Sequence, residues 1–137
     1  MAVFQNIPSP VLLLTPDFVI ADMNLAYLRV AGRKREELLG RNIFVAFPDN
    51  PSEPSSTGVR NLSASLRHVL ATGEPDSMAL QKYDVELSGQ GVFKERYWSP
   101  VNAPVFGPDG RVALIVHWVE EVSDLVRQFA AALAANA

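Results

Sequence analysis

His117 is the residue best placed to do chemistry in this chain, because it stands alone inside an apolar run, Val112–Val119. Side chains alternate along a strand. Ala113, Ile115, His117 and Val119 would therefore share one face, and Leu114, Val116 and Trp118 the other. An imidazole on an apolar face must find a hydrogen-bond partner. That partner is either a ligand or a neighbouring side chain, and the sequence leaves both open. Trp98 and Asn102, on the preceding apolar segment, are four residues apart and share a face if the strand runs unbroken. Pro100 between them cannot donate to a ladder, so a bulge there would change the phase.

Other chemistries lack their parts. The chain has no cysteine, which removes disulfides, thiolate nucleophiles and thiolate metal sites together and fits a reducing compartment. Its 2 histidines are far apart and no carboxylate cluster accompanies them, so no metal site is expected. There is no Gly-x-Ser-x-Gly elbow, phosphate-binding glycine loop, dinucleotide fingerprint or kinase motif, and Gly89-Gln90-Gly91 reads as a turn. The chain is not expected to be an enzyme in its own right. A small ligand-binding enzyme would need a catalytic pair within hydrogen-bond reach. The second histidine, His68, lies on a helix whose apolar side is Leu62, Leu66 and Val69, and its phase puts it on the opposite, solvated side.

The elements that must position these residues follow from periodicity and turn chemistry. Val11–Thr15 and Phe18–Asp22 read as two strands of a hairpin around Pro16-Asp17. Asp22 or Asn24 then caps a short helix that stops at Gly32, followed by a helical turn at Arg35–Leu39 and a third short piece at Asn42–Phe47. Pro48–Gly58 is rich in Pro, Ser and Thr and reads as an exposed loop. Val59–Thr72 is the clearest helix, ended by Gly73 and Pro75. Three strands are expected after it, at Met78–Leu87, Phe93–Phe106 and Arg111–Val122, joined by tight turns at Ser88–Gly91 and Gly107–Gly110. An alanine-rich helix, Asp124–Ala137, closes the chain, with Ser123 placed to cap it. The economical arrangement is an α+β domain, a five-stranded antiparallel sheet with short helices packed on one face.

At 137 residues, nearly half of them apolar, the chain fits one domain with one core. A net charge of −3 gives no electrostatic reason to expect a nucleic acid or an anionic membrane as partner. The longest apolar runs, Val11–Leu14 and Val112–Val119, are too short to span a bilayer, and the N-terminus lacks the positive charge that opens a secretory signal. A cytoplasmic location is the expectation.

Several segments in order resemble the PAS sensory domains of bacterial signalling proteins, over about Phe4 to Leu125. They are Ile7-Pro8-Ser9-Pro10, Asn24 opening the first helix, Arg35–Asn42, Phe47-Pro48-Asp49-Asn50-Pro51, Arg96–Asn102 and Pro108–Val112. Val119-Glu120-Glu121-Val122-Ser123 stands where the family usually carries an Asp-(Ile/Val)-Thr ending. The light-sensing, flavin-binding branch has a reactive cysteine after Gly-Arg-Asn. Here Ile43 follows Gly40-Arg41-Asn42, which excludes covalent flavin photochemistry and weighs against non-covalent flavin. Haem-binding relatives ligate iron through a histidine on the longer helix, and the outward phase of His68 argues against haem.

The resemblance implies that the His117 face lines a cavity between sheet and helices, that Trp98 and Asn102 also look toward it, and that Asp84 aligns with a polar cavity position. Asp84, Trp98, Asn102 and His117 would suit a small polar or planar ligand; the alternative is a filled core with satisfied polar groups. Leu114, Val116 and Trp118 form an apolar stripe on the helix-free face that needs a cover, from Val3-Phe4, the terminal helix or a second copy. In PAS relatives this is the usual dimer surface, so a homodimer is expected. The terminal helix carries Leu125 or Val126, Phe129 and Leu133 as a narrow seam. It either packs back on the sheet or begins a connector toward an output module, with Glu121-Val122-Ser123 as the joint. The expected organisation is a sensor domain over 1–123 and a connector helix over 124–137. The expected role is sensing or dimerisation in signal transduction, regulating a histidine kinase or similar output. The alternative role is a purely structural dimerisation domain.

Overall fold

The computed structural model describes residues 2–51, 58–79, 81–82, 85–86, 91–94, 97–121 and 123–135; of residues 81–82, 85–86, 94, 98, 120–121, 123–125 and 129 it describes the backbone alone. A short N-terminal helix α1 (Ala2–Gln5), unforeseen in the sequence, precedes the hairpin of β1 (Val11–Leu14) and β2 (Ile20–Met23). Three short helices follow, α2 (Leu25–Ala31), α3 (Arg35–Leu38) and α4 (Ile43–Ala46), and then the long α5 (Gly58–Thr72). The second half holds β3 (Asp76–Ser77), β4 (Gln81–Lys82), β5 (Val85–Glu86), β6 (Phe93–Lys94), β7 (Tyr97–Phe106), β8 (Val112–Glu121) and the terminal α6 (Ser123–Ala135).

The main sheet is antiparallel in the order β2-β1-β8-β7-β3, with β4 on the same side of β7 as a continuation of that edge. Five strand positions result, and the fold is α+β as expected. β5 and β6 pair separately, Val85 with Lys94 and Glu86 with Phe93.

The expected single strand Met78–Leu87 is instead divided, starting two residues earlier at Asp76. Pro100 on β7 supplies the reason. Its carbonyl accepts from the Met78 N–H at 3.0 Å, but it has no N–H to return. Three residues separate Ser77 from Gln81 on the edge, against two between Val101 and Trp98 on β7. The irregularity thus falls on the partner strand. The β7–β8 ladder itself passes Pro100 without a slip, and its one register shift is at Val105/Phe106.

Local chemistry fixes the helices. Asn24, not Asp22, caps α2: its Oδ1 accepts from the Tyr27 N–H at 3.0 Å, while Asp22 pairs with Arg35 at 2.7 Å. The same Oδ1 accepts from Val11 N–H, and its Nδ2 donates to the carbonyls of Ser9 and Ile7. One buried amide therefore ties the N-terminal segment, β1 and α2 together. α3 opens with the Glu37 carboxylate accepting from the Lys34 backbone N–H, which with the adjacent Arg33 guanidinium holds that carboxyl below its usual range. The Asp49 carboxylate accepts from Val59 N–H at the start of α5. At its end Gly73 takes a left-handed φ of 68° and donates to the Val69 carbonyl, with the Phe106 ring beside the place a Cβ would occupy.

The core lies between the helices and one sheet face. Leu12, Leu14, Ile20, Met23, Ile115 and Val119 come from the sheet and meet Leu38, Ile43, Phe47, Leu62, Leu66 and Val69 from the helical side. The hydroxyl-bearing Tyr27 is buried there edge-on to Phe47, with the Arg33 guanidinium over the Phe47 ring and bonded to the Ala46 carbonyl. Burial pushes the Tyr27 phenol far up; the Arg33 charge offsets only part of that.

Candidate functional site

Strand register puts one row of side chains across the whole sheet on its helix-covered face. Met23 stands opposite Leu12, Leu12 opposite His117, His117 opposite Asn102, and Asn102 opposite Asp76. The β2 and β1 half of the row is apolar and the β8, β7 and β3 half is polar. Directly opposed side chains are the closest neighbours a sheet offers, so register alone brings the three polar groups together.

His117 and Asn102 are in direct contact: His117 Nδ1 lies 2.6 Å from Asn102 Oδ1. Both are buried, Asn102 completely. Asn102 Nδ2 donates to Ser65 Oγ at 2.8 Å and approaches Met78 Sδ at 3.5 Å. Ser65 Oγ in turn donates to Asp76 Oδ2 at 2.5 Å. The result is a continuous chain from the centre of the sheet, through the underside of α5, to a half-buried carboxylate at the sheet edge. Burial lowers the His117 pKa from 6.5 to about 4, so the imidazole is neutral near pH 7.

The face assignments made from alternation hold from Leu114 to Val119, but Ala113, expected on the buried face, is exposed because the register shift opposite Val105/Phe106 interrupts the alternation there. His117 is buried with Ile115 and Val119, and Trp118 on the opposite face is 47% exposed. Trp98 keeps the register of Asn102, paired with Glu121 and Gln81, but its side chain lies outside the described residues. Asp84 lies outside them as well. His68 is exposed, as its helical phase requires. Ser65, Asp76 and Met78 were missed as site residues. Ser65 was visible as a polar intruder in the Leu62, Leu66, Val69 stripe of α5, whereas Asp76 fell between the helix stop at Gly73 and Pro75 and the strand expected from Met78.

The helix-free face carries Leu114, Val116 and Trp118, flanked by Leu13 on β1 and by Val101, Ala103 and Val105 on β7. Leu114 and Val116 are half-buried and Val105 is exposed. Val3 in α1 is 75% exposed and Phe4 half-buried, so Val3 does not supply the cover. α6 adjoins β7, yet its Leu133 is 72% exposed. The Phe129 side chain lies outside the described residues, and Glu121 and Ser123 mark the end of β8 and the start of α6. Among the described residues no group of three metal-binding side chains occurs, and no helix is long and apolar enough to cross a membrane.

A five-position antiparallel sheet, with helices on one face and polar groups buried between the layers, defines a two-layer α+β domain. The chain belongs to the PAS fold family, whose model matches residues 4–127. No curated protein matches it. Among solved structures it is similar to the PAS domain of a protein from Colwellia psychrerythraea, at 8% identity and a TM-score of 0.71 over 90% of this chain and 93% of that one. It is also similar to the PAS domain of nitrogen regulation protein NR(II) from Vibrio parahaemolyticus, at 13% identity and a TM-score of 0.61 over 88% and 94%. A third is the Drosophila melanogaster Cycle PAS-B domain with bound ethylene glycol, at 11% identity and a TM-score of 0.64 over 82% and 98%.

Proposed function

We propose that this PAS domain senses a small neutral ligand beside His117 and Asn102 and passes the state to an output module through α6. The observation that carries the reading is the polar half-row on the core side of the central strands, ending in a buried imidazole with a nitrogen to spare. Each of these groups costs desolvation that an apolar row would avoid, and a ligand that uses them offsets that cost. Trp98 and Asp84 complete the proposed lining. The ethylene glycol bound by the Cycle PAS-B domain supports a small hydroxyl-bearing guest in this architecture.

Coupling would run along β8. Three residues separate His117 from Glu121, and α6 begins at Ser123, so a ligand that repacks His117 biases the joint at Glu121–Ser123. The sensor unit would be residues 1–123 and the connector 124–137, with Phe129 on its seam. The helix-free face, with Leu114, Val116 and Trp118, would pair with a second copy, in the cytoplasm, as part of a regulator of a histidine kinase or similar output. The likeness to the NR(II) PAS domain supports that setting. Catalysis would belong to the output module.

Native mass spectrometry of freshly purified protein tests both halves. A dimer carrying a small adduct that is lost on His117→Leu substitution is expected. A ligand-free dimer would favour a purely structural dimerisation domain, and a ligand-free monomer would defeat both readings.

A further inference from the structure

We propose that Asp76 sets the polarity of the buried site, so that His117 meets its ligand with a bare Nε2 lone pair and the site selects neutral molecules bringing an N–H or O–H donor. The ligand-class half of this rests on the ligand-binding reading above; the polarity half does not.

The argument starts from one group whose role is fixed. A carboxylate only accepts, so Ser65 must donate its single hydroxyl hydrogen to Asp76 Oδ2. With that hydrogen spent, Ser65 Oγ can only accept from Asn102. The Asn102 amide must then turn its NH2 toward Ser65, at 2.8 Å, and its carbonyl toward His117. An amide carbonyl 2.6 Å from Nδ1 requires Nδ1 to carry the hydrogen. A neutral imidazole with Nδ1–H has its lone pair on Nε2. The three hydrogen bonds run in one direction, and each polarises the next toward the carboxylate.

Nε2 diverges from Nδ1 across the ring and is directed away from Asn102. His117 is 95% buried, being 5% exposed, and no described residue partners Nε2. A buried acceptor left unmet carries a penalty, so a guest that supplies a donor relieves it. A guest presenting only an acceptor places two lone pairs face to face. An ion would have to shed its hydration to enter the core that Leu12, opposite His117, shares with Ile115 and Val119. Ser65 and Asp76 act through His117 and are positioning residues.

The test is the tautomer of His117, read by long-range 1H–15N correlation in the full chain carrying His68→Gln, which leaves one imidazole. Nδ1–H with a lone-pair Nε2 is expected. Ser65→Ala and Asp76→Asn, two small changes either of which suffices should the other fail to fold, should move the ring toward a mixture or to Nε2–H. A role limited to packing would not move the tautomer. Indole and benzofuran, near-isosteres with and without an N–H donor, then probe the ligand class. Indole should shift the Nε2 resonance and bind at least about tenfold more tightly than benzofuran. Nε2–H in the starting protein, or a tautomer indifferent to both substitutions, overturns the polarity assignment. Benzofuran binding as well as indole overturns the ligand class. Nδ1–H with neither compound reaching His117 sinks the ligand-binding reading, and the ligand class with it, while the polarity assignment stands.

Discussion

Asn24 and Asn102 are both fully buried amides, and they spend their hydrogen bonds differently. Asn24 bonds only backbone, joining Ile7, Ser9, Val11 and Tyr27. Truncating it removes a helix cap and strands an N–H at Val11. Asn24→Ala should therefore cost about 2–4 kcal/mol, measured by urea denaturation, with no effect on what the site binds. Asn102 bonds only side chains, so its contribution is to orient His117. His117 makes stability depend on pH. Its folded pKa of about 4 lies below the 6.5 of the free group, so the unfolded chain binds the extra proton first. The contribution is complete above pH 6.5 and is lost as pH falls toward 4, by about 3 kcal/mol at most. Urea midpoints at pH 7.5 and 5 should differ, and in His117→Gln the difference should shrink. An unchanged difference would mean that carboxylates elsewhere carry the acid sensitivity.

At the scale of elements, the α5–β3 junction holds Ser65 and Asp76 in register, and Gly73 makes that junction. Its left-handed φ of 68° and the Phe106 ring 3.3 Å from where a Cβ would sit act against any side chain there. Gly73→Ala should cost about 1–2 kcal/mol. Adding Phe106→Ala should return the steric share and leave the backbone share, a split that thermal melts of the two variants can resolve. The hairpin holds a comparable strain at Phe18, whose φ is 66°, fixed by its N–H donating to the Thr15 carbonyl and by an edge-on contact with Phe44 at 6.0 Å.

For the whole molecule the open question is what covers the helix-free face. Leu13, Val101, Leu114, Val116 and Trp118 share it, and burying a few hundred Å2 of such surface is worth several kcal/mol at about 25 cal/mol per Å2, before association costs. Trp118→Glu should weaken a dimer by about tenfold or more and leave the fold intact, because Trp118 points away from the core. Sedimentation velocity of both proteins decides this. A parent chain that stays monomeric at high micromolar concentration would leave the face to intramolecular cover or to a different partner.

Much of this was legible in the sequence because it depends on local periodicity. The apolar run Val112–Val119 alternates, so the burial of His117 and the exposure of Trp118 follow from the pleat alone. The stripe on α5 follows likewise from a period of 3.6, and the turn at Gly107–Gly110 from glycine and Asp109, whose carboxylate accepts from Arg111 N–H. The PAS likeness was carried by the order of such pieces. What the sequence could not supply was register between strands distant in the chain. Asp76, Asn102 and His117 become neighbours only because β3, β7 and β8 align at those residues, and Ser65 joins them only because α5 crosses beneath. Nor did any local signal reveal that Pro100 would break the facing edge strand and leave its own ladder with β8 intact. Pairing is a two-body property: the residue that disrupts a strand and the strand disrupted can be far apart in sequence, and only the tertiary structure brings them together.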